Sequence, residues 1–141
     1  MIDWHSHILP GVDDGSKTLG ESLALLEMQR GQGVDVVLAT PHFYANQESV
    51  SDFLKRRQQA FDALQAALPE NAPRILQGAE VRYYQGISRL SDLKDLRVEG
   101  SPVLLLEMPI SRWSEGTIRE LIELSALGGI KLVLAHIERY L

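Results

Sequence analysis

The chain has 141 residues, of which 45% are hydrophobic and 23% charged, and it carries a net charge of −5. This composition is typical of one globular domain and excludes disordered, collagen-like and coiled-coil proteins, while the absence of cysteine excludes disulfides, thiolate metal sites and a cysteine nucleophile. The acidic balance argues against non-specific nucleic-acid binding, and no apolar run approaches the ~20 residues that an integral membrane span needs.

Predicted strands and helices alternate from the beginning of the chain. Met1 to His5 is predicted to form a short strand, and a loop rich in glycine, proline and aspartate follows from His7 to Lys17. Thr18 and Glu21 have the spacing of a capping box, which predicts the start of a helix. This helix is expected to end at Gly31, because glycine commonly follows the last helical turn.

The remaining chain continues the alternation. A β-branched run predicts a second strand from Val34 to Thr40, and a helix from Val50 to Leu68 is expected to end before Pro69. Two further strands are separated by an irregular segment, and a helix precedes the last strand. These elements are predicted at Arg74 to Ala79, Val103 to Met108, Thr117 to Leu127 and Lys131 to Ala135.

Strands that alternate with helices predict an α/β fold with a mostly parallel sheet or barrel. In such folds the chemistry gathers on the loops at the carboxyl ends of the strands. The polar residues at those ends are therefore the first candidates for a functional site.

Each predicted strand places a histidine or a glutamate at its carboxyl end. All four histidines of the chain are in this set. Because parallel strands share one carboxyl edge, we expect the six side chains to converge. They are His5, His7, His42, Glu80, Glu107 and His136.

Each of these residues also has a structural interpretation when taken alone. His5 and His7 point the same way from an extended segment and can share a cation, but such a pair is also found in exposed loops. Glu107 lies in an apolar run, where a carboxylate needs either a metal or an arginine partner. His136 alone is more typical of a satisfied core histidine. The coincidence of six residues at five strand ends favours a metal site.

Two further features belong to the same edge of the predicted sheet. Asp13 and Asp14 lie in the first loop, where one carboxylate could serve a turn and the other a metal. Arg139 follows the last strand, where its guanidinium could bind two phosphate oxygens or form a surface ion pair with Glu138.

Five motifs, in this order along the chain, resemble those of the polymerase and histidinol phosphatase (PHP) superfamily. More narrowly, they are similar to the bacterial manganese-dependent protein-tyrosine phosphatases of the CpsB/CapC type, which act in capsule and exopolysaccharide systems. The resemblance runs from residue 1 to the last residues. The motifs are Met1-Ile-Asp-Trp-His-Ser-His-Ile-Leu-Pro-Gly-Val-Asp-Asp-Gly15, Ala39-Thr-Pro-His42, Gly78-Ala-Glu-Val-Arg82, Leu104-Leu-Leu-Glu-Met-Pro109 and Ala135-His-Ile-Glu-Arg-Tyr140.

This resemblance implies a distorted (β/α)7 TIM-like PHP barrel with a three-metal cluster at its carboxyl face, of which the chain covers about the first five β/α units. Arg139 is implied to bind the substrate phosphate, with Asp14 as a second catalytic residue. The implied ligands are His5, His7 and Glu80 for the first metal, Glu80, Glu107 and His136 for the second, and Asp14 and His42 for the third.

The sequence departs from the family pattern at three places. Ile137 stands where the family usually has proline, a change that removes no ligand, and Phe43 to Asn46 is a variant of a loop near the substrate. The family also places an Asp-x-His motif near its C-terminus, which the chain does not reach before Leu141. We therefore expect residues 1–141 to be the N-terminal portion of such a phosphatase domain, impaired or inactive as it stands.

The function implied by the resemblance is that of a metal-dependent protein-tyrosine phosphatase. It would hydrolyse phosphotyrosine through a metal-activated hydroxide and take part in regulating capsular or exopolysaccharide biosynthesis. Its cofactor is expected to be a divalent metal cluster, with manganese implied by the resemblance. Iron, zinc and cobalt stay open, because histidine and carboxylate ligands suit all of these metals.

The implied partner is a phosphotyrosine protein, namely the tyrosine-rich tail of a bacterial tyrosine kinase in the cytoplasm. The sequence leaves a homo-oligomer open. One alternative is a phosphatase acting on histidinol phosphate or another small phosphomonoester with the same metal site. A second alternative is a truncated domain without catalytic activity.

Overall fold

The computed structural model describes residues 1–140, which contain seven strands and three α-helices. Short 3-10 helices lie at Ile87–Arg89, Leu93–Leu96 and Ile137–Arg139. Among these residues no helix is both long and apolar enough to cross a membrane. In chain order the main elements are β1 (Ile2–Ser6), α1 (Leu19–Gly31), β2 (Val36–Ala39), β3 (His42–Phe43), α2 (Val50–Ala67), β4 (Arg74–Gln77), β5 (Glu80–Arg82), β6 (Val103–Glu107), α3 (Glu115–Ala126) and β7 (Lys131–Leu134).

Each α-helix begins at a hydroxyl side chain that caps its first turn. Thr18 accepts a hydrogen bond from the backbone N–H of Glu21 at 3.2 Å, which confirms the predicted start of α1. Ser49 caps α2 in the same way. Ser114 caps α3, so this helix begins two residues before the predicted Thr117.

All strand pairs are parallel, as the alternation of strands and helices predicted. One sheet has the order β1-β2-β4 and the other the order β3-β5-β6-β7. The predicted second and third strands correspond to β2 and β4, whereas the short strands β3 and β5 begin beyond the predicted ends, Thr40 and Ala79, and were not predicted. The structure of residues 1–140 therefore has seven strands where five were predicted, because the chain bends after β2 and again after β4 and a short strand follows each bend.

The two bends lie side by side, and each has a proline or a glycine at its position. Pro41, which has no backbone N–H, follows β2, and Gly78 follows β4. A side chain at Gly78 would press against Thr40 Cγ2 at 3.2 Å. Hydrogen bonds nevertheless continue across the bend, from Gly78 N to Ala39 O and from Glu80 N to Pro41 O. Beyond the bend, the first residues of β3 and β5, His42 and Glu80, lie opposite each other.

Helix α2 joins two hydrophobic cores beneath these ends. Phe53, near its start, packs in a core that contains Leu104. Leu64, near its end, packs in another core that contains Val37 and Leu26. All four of Phe53, Leu104, Leu64 and Val37 are fully buried, and each such side chain stabilises the fold by about 2 kcal/mol. The core thus lies below the polar ends of the strands.

A buried carboxylate on α3 organises the loop that follows β5. Glu120 accepts hydrogen bonds from the hydroxyl of Tyr83 at 2.8 Å, from Gly86 N at 2.8 Å and from the N–H and hydroxyl of Ser88. Burial alone would raise the pKa of Glu120, but the bonds from Ser88 and Tyr83 outweigh it and lower that pKa below its ordinary value. The carboxylate therefore stays ionised and holds the loop.

Replacing Glu120 with alanine is expected to lower the free energy of unfolding by about 2 kcal/mol, because it leaves several partly buried donors without an acceptor. Urea denaturation of the metal-free protein measures this change. Glu123→Ala is the matched control on the same helix, since Glu123 is exposed and its contact with Ser88 is at the limit of a hydrogen bond, 3.5 Å. Equal losses in the two variants would contradict the role of Glu120.

Candidate metal centre

The structure brings together the six residues that the sequence placed at strand ends. They come from four strands and the two loops that follow the outermost strands. His5 lies in β1 and His7 directly after it, His42 begins β3, Glu80 begins β5, Glu107 ends β6 and His136 follows β7.

Glu80 is the centre of this cluster and its side chain is fully buried. One carboxylate oxygen lies 2.9 Å from His5 Nε2, 3.0 Å from His7 Nε2 and 3.2 Å from His42 Nδ1. The other oxygen lies 3.0 Å from His136 Nε2. Four imidazoles from three segments of the chain therefore surround one carboxylate.

The geometry of these contacts is not that of ordinary hydrogen bonds. Within the described residues neither oxygen of Glu80, nor Nδ1 of His42, has a hydrogen-bond partner although all three atoms are buried. A buried polar atom without a hydrogen-bond partner lowers the stability of the fold unless another group binds it. Nitrogen and oxygen donors that face common points fit divalent cations of the first transition series.

Three groups of ligand atoms are close enough to share a cation, each with its atoms within 4.8 Å of one another. Glu80 belongs to two of the groups, as a bridging carboxylate would. His136 reaches the second oxygen of Glu80. The groups are His5, His7 and Glu80; His7, Asp14 and His42; and His42, Glu80 and Glu107.

The charges of the cluster are strongly coupled. Burial alone would raise the pKa of Glu80, but contact with His5 and His7 outweighs it and holds the pKa well below the ordinary value. Burial would lower the pKa of His7, but its contacts with Asp13 and Glu80 raise it to about 10. At both groups, contacts with oppositely charged neighbours therefore outweigh the effect of burial.

Asp13 orients two of the candidate ligands. Its carboxylate accepts a hydrogen bond from His7 Nδ1 at 2.6 Å and another from the backbone N–H of His42 at 2.9 Å. Burial raises the pKa of Asp13, but the bonds from His7, Gly15 and His42 lower it to about 2. Because the carboxylate is ionised, His7 Nδ1 carries the proton, and Nε2 is the atom that faces Glu80.

The two neighbouring aspartates thus have different positions. Asp13 is nearly buried and makes the turn, accepting a hydrogen bond from Gly15 N at 3.0 Å. Asp14 is 80% exposed, and its carboxylate lies 3.4 Å from His42 Nε2. Asp14 is therefore the member of the pair that has free lone pairs for a cation.

Glu107 has both kinds of partner that the sequence left open, an arginine and a group of candidate metal ligands. It is buried at the end of β6, and it pairs with the guanidinium of Arg82 at 2.9 Å. It also belongs to the group with His42 and Glu80. The arginine pair therefore holds a carboxylate that remains within reach of the shared site.

His136 has a strained backbone. Among residues 1–140 it is the one non-glycine residue with a positive φ, 53°. This left-handed conformation costs about 1–2 kcal/mol in an L-residue. The chain turns at this residue, directly after β7, and in this conformation the His136 ring contacts Glu80.

Arg139 lies on the 3-10 helix that follows His136, and its side chain is about half exposed. Its Nε lies 3.8 Å from the carboxylate of Glu138. This is the surface ion pair with Glu138 that the sequence left open, and such exposed pairs are weak. The guanidinium therefore keeps most of its donors free for a ligand.

Sequence reasoning left the role of Asp13 undecided and missed that of Arg82. The sequence Asp-Asp-Gly does not indicate which of the two aspartates is buried beside the histidines. Arg82 had a usable signal, since it lies two residues after Glu80 in a strand and therefore on the same face. Its partner Glu107 lies opposite it in the β5–β6 register.

The chain was compared with known proteins. A family model described as "Capsular polysaccharide synthesis, CpsB/CapC" matches residues 1–141. The tyrosine-protein phosphatase CpsB of Streptococcus agalactiae is 32% identical over 151 residues, covering 99% of this chain and 58% of that protein. The tyrosine-protein phosphatase YwqE of Bacillus subtilis is 30% identical over 148 residues, covering 99% and 55%.

A solved structure also matches, from a study of YwqE of Bacillus subtilis and CpsB of Streptococcus pneumoniae as unique metal-dependent tyrosine phosphatases. The TM-score is 0.77 at 26% sequence identity, and the match covers 99% of this chain and 56% of that one. The mixed α/β fold with parallel sheets is thereby confirmed. The chain spans a little more than half the length of these relatives.

Proposed function

The chain belongs to the CpsB/CapC family, and from this membership we propose that the protein is a metal-dependent protein-tyrosine phosphatase of capsular or exopolysaccharide biosynthesis. The observation that carries the proposal is the fully buried Glu80, whose carboxylate meets four imidazoles without an ordinary hydrogen bond. The relatives named tyrosine-protein phosphatases support it further.

The residues proposed to hold the cations are those of the cluster. His5, His7 and Glu80 would hold the first, Glu80, Glu107 and His136 would hold a second, and Asp14 and His42 would contribute to a third. The groups of neighbouring ligand atoms support the first and third sets directly. When bound, such cations lower the pKa of a coordinated water toward about 7 and offset the charge of the phosphate. Manganese is the proposed metal.

The chain's own residues perform the remaining tasks. Arg139, three residues after His136, binds phosphate oxygens through its planar pair of donors, which its exposure permits. Asp13 keeps His7 in one tautomer and His42 in place. The leaving tyrosinate has a conjugate acid of pKa near 10, so it needs little help from an acid. Residues 1–141 contain no cysteine, so none of their side chains could accept the phosphoryl group as a thiolate.

We propose the distorted (β/α)7 barrel as the finer description of the fold. The strands follow one another in space as they do in sequence when each bent strand is counted once. β1 and β7 are the outermost strands, yet the rings of His5 and His136 are only 4.9 Å apart. Such an approach needs a sheet that curves toward closure.

The proposed substrate is a phosphotyrosine protein, the tyrosine-rich tail of a bacterial tyrosine kinase in the cytoplasm. Two measurements test the function. The first is the divalent metal content of the purified chain after dialysis, and three metal ions per chain are expected when all proposed sites are filled. The second is the rate of phosphate release from a phosphotyrosine peptide beside histidinol phosphate. Preference for histidinol phosphate would replace the proposal by the small-substrate phosphatase, and a chain that binds no metal would support the non-catalytic alternative.

Replacing Asp13 with alanine is expected to weaken metal binding by about 10- to 100-fold, because His7 loses the partner that fixes its tautomer and ring orientation. Competition with a metal-binding dye measures the affinity. The Asp62→Asn variant is the control, since Asp62 is exposed on α2. Unchanged affinity in Asp13→Ala would show that the ring of His7 is held by other contacts.

A further inference from the structure

A cleft of about 660 Å³ lies beside the metal centre. Two loops form its walls, the one that follows β3 and the one that follows β5. We name it the tyrosine cleft. Its walls include Tyr44, Asn46, Gln47, Arg82, Tyr83 and Tyr84.

The tyrosine cleft adjoins the metal centre, because two of its lining residues contact residues of the cluster. The ring of Tyr44 stacks on that of His42, with centroids 5.3 Å apart and planes at 30°. The guanidinium of Arg82 lies 2.9 Å from the carboxylate of Glu107. A molecule whose phosphate lies at the cluster can therefore extend into the cleft.

Both walls are held in place before any ligand arrives. Glu120 fixes the loop after β5 through Tyr83 and the backbone beyond it. On the other side, Arg56 of α2 pairs with Glu48 and also donates to the carbonyl of Val12 in the loop that carries the aspartates. Rigid walls lower the entropy that binding costs.

The chemistry of the walls suits a polypeptide. Asn46 and Gln47 are exposed amides that can both donate to and accept from backbone groups. The tyrosines present flat faces with few rotatable bonds, which pack on side chains at low entropic cost. Arg82 is the one charged residue among those that line the cleft, and its charge is already paired with Glu107. The volume is also larger than one tyrosine side chain occupies and lies within the range of about 300–1,000 Å³ that binding pockets have.

We propose that the tyrosine cleft binds the peptide segment adjoining the phosphotyrosine, so that it selects polypeptide substrates over small phosphomonoesters. This inference rests on the proposed function and adds to it a binding subsite for the substrate. Because the polar groups are amides rather than charges, the cleft recognises the extended backbone more than any one neighbouring side chain.

The test uses two non-hydrolysable probes and the manganese-loaded protein. One is a five-residue alanine peptide with difluorophosphonomethyl-phenylalanine at its centre, and the other is the N-acetyl amide of that residue alone. Their affinities are measured by calorimetry. The wild-type protein is expected to bind the peptide about tenfold more tightly than the single residue.

Gln47→Ala and Tyr84→Ala are each expected to reduce this preference to within about threefold, through weaker binding of the peptide. Gln47 is exposed, so its replacement leaves folding intact even if that of Tyr84 does not. The matched control is Gln65→Ala, an exposed glutamine on α2 outside the cleft, which is expected to keep the wild-type preference.

The outcomes separate the two proposals. An unchanged preference in the Gln47 and Tyr84 variants, or equal binding of both probes by the wild type, would overturn the assignment of the cleft while the phosphatase function stands. If the metal-loaded wild type binds neither probe, the proposed function fails and the cleft assignment fails with it.

Discussion

Replacing Glu80 with glutamine is expected to remove most of the bound metal, and any phosphotyrosine hydrolysis by residues 1–141 is expected to fall with it by about 1000-fold, a loss of about 4 kcal/mol in transition-state stabilisation. The carboxylate touches four imidazole nitrogens at 2.9–3.2 Å and takes part in two groups of candidate ligands. A neutral amide has one acceptor oxygen in place of two anionic ones and cannot bridge two cations. Metal analysis after dialysis measures the first effect, and phosphate release measures the second.

Glu70→Gln is the matched control for this change, since Glu70 is an exposed glutamate in the turn after α2. We expect wild-type metal content and rate in that variant. Because glutamine has the shape of glutamate, circular dichroism should show an intact fold for Glu80→Gln. Retention of the full metal content by Glu80→Gln would refute the bridging role of this carboxylate.

Replacing Gly15 with alanine is expected to destabilise the metal-free protein by about 3 kcal/mol and to weaken metal binding by at least about tenfold. A Cβ at this position would lie far inside van der Waals contact with the carbonyl oxygen and the Cβ of His7. Neither atom is the flexible end of a side chain, so the loop itself must move. The movement pulls Asp13 away from His7, because Asp13 is tied to Gly15 N. Urea denaturation and metal competition measure the two effects.

Gly31→Ala provides a control at a second glycine. A Cβ on Gly31, the last residue of α1, meets no atom within 4 Å. Alanine there should leave metal binding unchanged and stabilise the helix by up to about 1 kcal/mol. Should Gly15→Ala behave like Gly31→Ala, the close packing of the aspartate loop on His7 would be wrong.

The order and type of the elements were predictable from local patterns. The caps at Thr18 and the runs of apolar residues specified α1, α2 and the parallel strands, since these signals depend on neighbours in sequence. The bends after β2 and β4 were not predicted. Pro41 and Gly78 mark them, but either residue is also found at the end of a strand. Only the pairing of the two bent strands shows that each one continues.

The residues of the site were largely predictable as well. Histidines and glutamates at the ends of alternating strands imply convergence, because the fold class places those ends on one edge. The division of labour between Asp13 and Asp14 was not predictable, since both have the same chemistry and adjacent positions. Burial and hydrogen bonds to His7 and His42 separate them.

The sequence by itself determined the α/β class, the family and the set of candidate ligands, because each depends on residue types in a fixed order. The tertiary structure decided which atoms face one another. It placed Glu80 among four imidazoles, turned Asp13 inward and Asp14 outward, and set the loops after β3 and β5 on either side of a cleft. These facts depend on distances between segments far apart in the chain, and those distances are set by the packing of α2 and α3 under the sheets.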